Sequence, residues 1–217
     1  EYSYDGNDIP GGGPGLIRYE EAGDVEAYTY YPKAGDKLVY KVTNEDGDVY
    51  DFIITIRKFI PFNLDDIESI EYPAAFLWQI NESADKSGEV FINKKAITSA
   101  TDYINYFRNG EIKTLKNQSS VFLSSKNWYE PTSSEDRSTT MNMTGADEKY
   151  YKNTENFEYL KVKVKEKMYS LPVYRYNNAK DGTGSYSVYV QDNAGCPLII
   201  KMKLNFDIEL KEIIPAG

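Results

Sequence analysis

Histidine is absent from this 217-residue chain, and cysteine occurs once. Without imidazole the sequence lacks the side chain that most often titrates near neutrality, shuttles protons or ligates zinc, and most hydrolase templates go with it. Cys196 has no partner for an intrachain disulfide and no histidine to activate its sulfur, so it reads as a small apolar residue beside Pro197. No apolar run approaches the ~20 residues that span a bilayer as a helix, so no transmembrane segment is expected. Positive charge is in deficit: 25 Lys and Arg face 34 Asp and Glu, a net charge of -9. Long-range electrostatics therefore repel phosphate backbones and anionic membranes, and no nucleic acid partner is expected.

What the chain does have is tyrosine, 20 residues against nine Phe and two Trp. Such rings suit a pleated, half-buried surface from which the hydroxyl still reaches water. With 41% hydrophobic and 27% charged residues, the composition is that of one globular β domain. Residues 1–36 differ: they are rich in Gly, Tyr and acids, with Gly11-Gly12-Gly13-Pro14 as a break. They read as a flexible acidic leader ahead of a single antiparallel β domain over 37–217. Because the chain begins at Glu1, a signal peptide, with a lipidated cysteine as anchor, is expected upstream. That implies an extracytoplasmic protein: periplasmic, on the outer-membrane surface, or secreted.

Lys37–Thr43 and Val49–Lys58 form a predicted hairpin. Tyr50, Phe52, Ile54 and Ile56 share one parity, and Asp46-Gly47 supplies the turn. In the Asn44–Asp48 cluster no glycine follows Asp48 and no bidentate glutamate closes the twelve-residue loop as in a calcium site, so no metal is expected there. Ala74–Asn81 and Gly88–Asn93 read as paired core strands. Ala96, Ile97, Ala100, Ile104 and Phe107 then recur at helical spacing, which predicts one principal helix over 94–108, capped by Asn93 and stopped by Asn109-Gly110. Ser119–Ser125 reads as a strand, 126–130 as a short helical turn and 131–138 as a polar loop. Strands follow over 139–144, 150–154, 157–165, 167–176, 185–191 and 198–213. Leu160, Val162 and Val164 oppose Lys161, Lys163 and Lys165. From Leu198 to Leu210 the even positions are apolar throughout, which fixes the register over about twice the usual ~5–6-residue strand. One long curved strand or two strands meeting at a bend would produce that. The predicted fold is mainly β with one principal helix: a strongly curved antiparallel sheet or partial β-barrel.

Tyr186–Met202, with its Asp192-Asn193 turn and Pro197-Leu198-Ile199 entry to a final strand, resembles a phrase found in exported bacterial β-rich proteins of unknown function. Ala34-Gly35-Asp36, Phe76-Leu77-Trp78 and Val121–Lys126 resemble the same group, and the likeness covers about residues 34–214. It implies an architecture similar to the periplasmic lipoprotein-carrier fold, an open barrel wrapped around a helix. Cys196 and the acidic leader depart from that pattern, and no ligand residue carries over.

Chemical motifs are sparse. Ser83-Ala84-Asp85-Lys86 has the Ser-x-x-Lys spacing of penicillin-recognising enzymes but lies in a turn without the partner motifs. Asp65, Asp66, Glu68 and Glu71 could pair as glycosidase carboxylates but read as solvated acids. Lys180–Gly184 lacks the context of a phosphate loop. No catalytic residue and no cofactor are assigned. The ligand-groove candidates are Trp78, Ile97, Ile104, Phe107 and Phe122, lining space between helix and sheet. Trp128 and Tyr129 are the exposed-aromatic candidates. The expected function is non-catalytic binding of a lipid or other apolar small molecule. The alternatives are a glycan-binding or adhesion module using exposed rings, and a structural protein meeting a cell-envelope partner.

Overall fold

A computed structural model describes residues 25–63, 67, 69–154 and 158–217. The leader residues 1–24, the carboxylates Asp65, Asp66 and Glu68, and Phe157 lie outside the described residues.

The predicted first hairpin is β1 (Lys37–Thr43) and β2 (Val49–Phe59). Gly47 takes a positive φ of 85°, and Asn44 spends its side chain on the turn by accepting from the Asp48 amide at 2.7 Å. A second hairpin joins β3 (Ala74–Ile80) to β4 (Ser83–Ile92) through Asn81 and Glu82, both at positive φ. Ser83 to Lys86 lie in this arm, where the register slips. That leaves the Ser-x-x-Lys spacing as hairpin geometry.

The predicted helix is shorter than its spacing implied. Asn93 caps α1 (Lys94–Ser99) by accepting from the Ala96 amide, but the helix stops at Ser99, not near 108. Thr98 and Ser99 turn their hydroxyls back onto the carbonyls of Lys94 and Lys95, a bond that competes with helix propagation. The chain continues as β5 (Asp102–Tyr103), β6 (Ile112–Leu115) and β7 (Gln118–Ser119). Residues 120–124, expected as strand, are irregular. Ser124 caps α2 (Ser125–Ser133), which takes in Pro131 and the start of the expected polar loop. Then come β8 (Ser138–Asn142), β9 (Asp147–Lys152), β10 (Glu158–Val164), β11 (Lys167–Asn177), β12 (Ser187–Gln191), β13 (Ile199–Lys203) and β14 (Asp207–Ile214). The long C-terminal alternation is thus two strands folded into a hairpin, with Met202 opposite Ile208.

Strands β10 to β14 pair in succession. β14 then returns to β10 through a short parallel contact, Lys163 opposite Glu212 and Val164 opposite Ile213. The expected curved sheet therefore closes into a five-strand barrel. It is extended on one side by β1, β2, β3, β4 and β6, and on the other by β9, β8, β5 and β7. Bulges supply the curvature: Lys211 is extra in β14 against Val39 and Tyr40, and Ile200 is extra in β13 against Tyr189 and Val190.

The second bulge has a packing consequence. Ile199 and Ile200 are both buried but face different cores. The larger core holds Leu38, Ile54, Phe76, Leu171 and Leu198, together with Ala96 and Ile97 of α1. The smaller one holds Leu123, Trp128, Met141, Tyr150, Tyr176 and Val188. Each Val, Leu, Ile, Phe or Met side chain so buried contributes about 1.5–3 kcal/mol.

Residues 25–36, assigned to the leader by composition, pack against the domain. Tyr30 is 1% exposed. Its backbone amide donates to the Gln191 side-chain oxygen (2.8 Å), and its carbonyl accepts from the same side chain (3.0 Å), a two-point contact that mimics strand pairing. Asp36 accepts from the Tyr30 hydroxyl and, through its other oxygen, from the Ala216 amide, tying both ends of the described domain together.

Candidate functional site: an apolar cleft at the hairpin end

The turns of β1–β2 and β13–β14 lie at the same end of the sheet, because Thr43 pairs with Asp207 and Val42 with Ile208. The Asn205 amide donates to the Glu45 carboxylate across them. Here the inner sheet face meets the segments at 105–107 and 120–121, leaving a cleft of about 280 Å³. Its walls include Val42, Phe52, Ile54, Phe107, Ile199 and Met202, and its rim carries Asn44, Glu45, Tyr50, Asn105, Tyr106 and Phe206.

The floor is held rigidly. Phe107 stacks on Phe52 (6.3 Å between centroids) and on Trp78 (5.8 Å), while Phe76 meets it edge-on. The Tyr40 hydroxyl donates to the Ile199 carbonyl at 2.9 Å, and burial pushes its ionisation far above the ordinary range. On the facing side Val121 sits at φ 65°, a left-handed conformation that is a genuine outlier for a β-branched residue. The Ile199 amide donates to its carbonyl at 2.7 Å, and Phe122 bridges to Leu198. Tyr50 is half-buried at the rim, its phenol held neutral by burial, and Tyr106 is 76% exposed.

Only Phe107 of the expected groove set lines this cleft. Ile97 and Phe122 are buried in the larger core, and Ile104 packs partly buried against it. Trp78 is 2% exposed and supports the cleft from behind through Phe107. Apart from Phe107, these residues pack in or against the larger core, with α1 contributing Ile97 to it. Sequence reading missed Tyr40, Val42, Tyr50, Phe52, Met202 and Ile208. The available signal was inward-facing apolar side chains beside polar turns, where a sheet runs past the elements that cover it.

Of the exposed-aromatic candidates, Tyr129 is 48% exposed but Trp128 is only 6% exposed. Trp128 is buried because it covers an unexpected lysine. The Lys152 ammonium lies 4.0 Å from the Trp128 ring centroid and 4.1 Å from that of Tyr174, with Tyr176 at 5.7 Å. It donates to the Trp128 carbonyl at 3.4 Å. Burial lowers its pKa to about 8, against the opposing attraction of Asp192. An amine of that pKa is a latent nucleophile, but here the rings enclose it and its bond fastens α2 to the sheet.

A second cleft of about 300 Å³ lies along β9 and β11, lined by Arg137, Lys152, Arg175 and Lys180 together with Asp136 and Asp181. Its cations are largely committed within the protein. Arg175 reaches Glu158 (3.6 Å) and the Gly182 carbonyl (2.9 Å), and Arg137 donates to Thr154 (2.8 Å). Cys196 is fully buried, and burial pushes its thiol well above the usual range. Among the described residues no group of acids and cysteine could hold a metal ion, and no helix is long and apolar enough to cross a membrane. The chain matches no family model, no curated protein and no solved structure.

Proposed function

We propose that the protein is a non-catalytic binding protein, acting outside the cytoplasm, that holds a small apolar or amphiphilic molecule in the cleft at the hairpin end. One observation carries the reading: about 280 Å³ of open space, walled by aliphatic and aromatic side chains, on a floor of stacked rings. Ligand pockets typically occupy ~300–1,000 Å³ and combine apolar walls with a few polar groups. The cleft falls just below that range, which suits one alkyl chain or a compact ring system. Lack of histidine and burial of the only thiol favour binding over chemistry. The extracytoplasmic location rests on the resemblance of residues 34–214 to exported β-rich proteins.

Native mass spectrometry of the protein with decanol tests the cleft. One equivalent should bind the natural sequence. Ile208→Trp, which fills the cleft from β14, should abolish binding without altering the circular dichroism spectrum. Absence of binding, or undiminished binding to the filled variant, defeats the reading. Fractionation of cells expressing the full reading frame tests location separately, and recovery in the cytoplasm alone removes that part. The glycan-binding alternative loses its two tryptophans to burial and retains, among the described residues, exposed tyrosines such as Tyr106 and Tyr129.

A further inference from the structure

We infer that the cleft selects a cationic amphiphile, an alkyl chain or compact apolar body that ends in a protonated amine, over the corresponding carboxylate. The inference rests on the binding function proposed above and concerns only which ligand the cleft prefers.

Charge distribution carries it. Among the residues lining the cleft there is no lysine or arginine, and Glu45 is the single charged side chain. A buried alkyl tail therefore places its head group at a rim whose charge is a carboxylate. Glu45 accepts from Asn205, but a carboxylate offers about four acceptor sites, so the amide leaves others for an ammonium. The surroundings reinforce the sign: Asp46 and Asp48 belong to the same turn and are exposed, and Asp207 opens β14 beside it. The nearest lysines on these strands face acids already. Lys41 lies 3.5 Å from Asp51, and Lys203 pairs in register with Asp207. The chain as a whole carries -9, so the approach of a fatty-acid anion is opposed at long range as well.

The rim also offers π faces. Tyr50, Tyr106 and Phe206 line the same space as Glu45, and aromatic faces attract ammonium groups and not carboxylates. Both effects act at an exposed rim, so the discrimination is modest. Favouring one head group and disfavouring the other yields roughly a threefold to tenfold ratio at low ionic strength, shrinking as salt screens the interaction.

Isothermal titration calorimetry with decylammonium, decanol and decanoate, each below its aggregation concentration at pH 7 and low salt, provides the test. Decylammonium should bind most tightly and decanoate least, with the amine-to-carboxylate ratio in that threefold to tenfold range. Glu45→Gln, at an exposed position where folding is not at stake, should bring the ratio toward one. If decanoate binds as well as the amine, or if Glu45→Gln leaves the ratio intact, the inference is overturned while the cleft remains a binding site. If none of the three ligands binds, the proposed function falls first and the inference with it.

Discussion

The two cores share strands β11 and β13, which turn side chains into both, yet they are built from different materials. The larger is mostly aliphatic and phenylalanine-rich, with Trp78 and two hydrogen-bonded tyrosines, Tyr30 and Tyr40, and its specificity comes mainly from shape. The smaller mixes methionine and tyrosine with buried polar groups: Lys152 among its rings, and Asn127, whose side chain joins Tyr103, Ser124, Thr139 and the Thr140 carbonyl. One side of the molecule therefore resists change through packing and the other through hydrogen bonds and charge. The cleft opens where the two meet, at Ile199, Met202 and Ile208.

The largest expected effects lie on the packed side. Phe76→Ala should lower the free energy of unfolding by about 3–5 kcal/mol, and Ile213→Ala, at the barrel closure, by about 2–5 kcal/mol. Denaturant titration measures both. Losses under about 1 kcal/mol would mean that the larger core is loosely filled and that the contrast is false.

On the polar side the signature is pH dependence. Lys152 has its folded pKa depressed to about 8, below the ordinary lysine value of 10.5. Below pH 8 both states are protonated, and the fold carries the full penalty of burying the ammonium. Between about 8 and 10.5 the unfolded chain binds the proton more tightly, so stability must rise with pH. The shift corresponds to roughly 3–4 kcal/mol. The groups facing this amine are Asp192 and the phenols of Tyr174 and Tyr176. Burial raises the Asp192 pKa above its usual 3.8 and keeps both phenols neutral through this window. Above about pH 10 the trend must reverse, because Tyr30, Tyr40, Tyr103 and Tyr176 stay protonated in the fold but ionise when it opens. Thermal unfolding from pH 7 to 11 should therefore pass through a maximum. Lys152→Met should flatten the rising limb and leave the falling one. A flat profile in the natural sequence would show that the ring enclosure offsets the burial entirely. Asn127→Ala comes next, at roughly 1–3 kcal/mol for orphaned buried partners. A neutral result would indicate that water replaces the amide.

Much of the larger core was legible because one face of each strand is buried, and alternation reports that directly. Leu198, Ile200 and Leu210 are all buried in it. Even the enclosed lysine left a trace, since Lys152 shares the parity of buried Tyr150; the residue type masked a positional signal. What could not be read was non-local. Spacing of 96, 97, 100, 104 and 107 fits a helix, but the tertiary pairing of Asp102 and Tyr103 with Gln118 and Ser119 claims its second half for strand. The cleft draws on 40–54, 105–107, 120–121 and 199–208. Long-range pairing, such as β1 against β14 and the Ile199 amide against the Val121 carbonyl, brings those segments together, and it has no local pattern.

That closure offers the smallest predicted effect and the sharpest use of the contrast, because its two rungs differ in kind. Val164 meets Ile213 on the inside, whereas Lys163 meets Glu212 on the outside at 3.1 Å. The ion pair is the more conspicuous contact and the weaker candidate for holding the barrel shut: both side chains keep much of their exposure, and such pairs gain little over hydration. Lys163→Gln should leave the denaturation midpoint unchanged at both low and high salt, even as Ile213→Ala lowers it. Were Lys163→Gln to open the barrel, seen as accelerated amide exchange in β10 and β14, closure would depend on charge, and the division between a packed core and a polar one would fail at the contact that completes the ring.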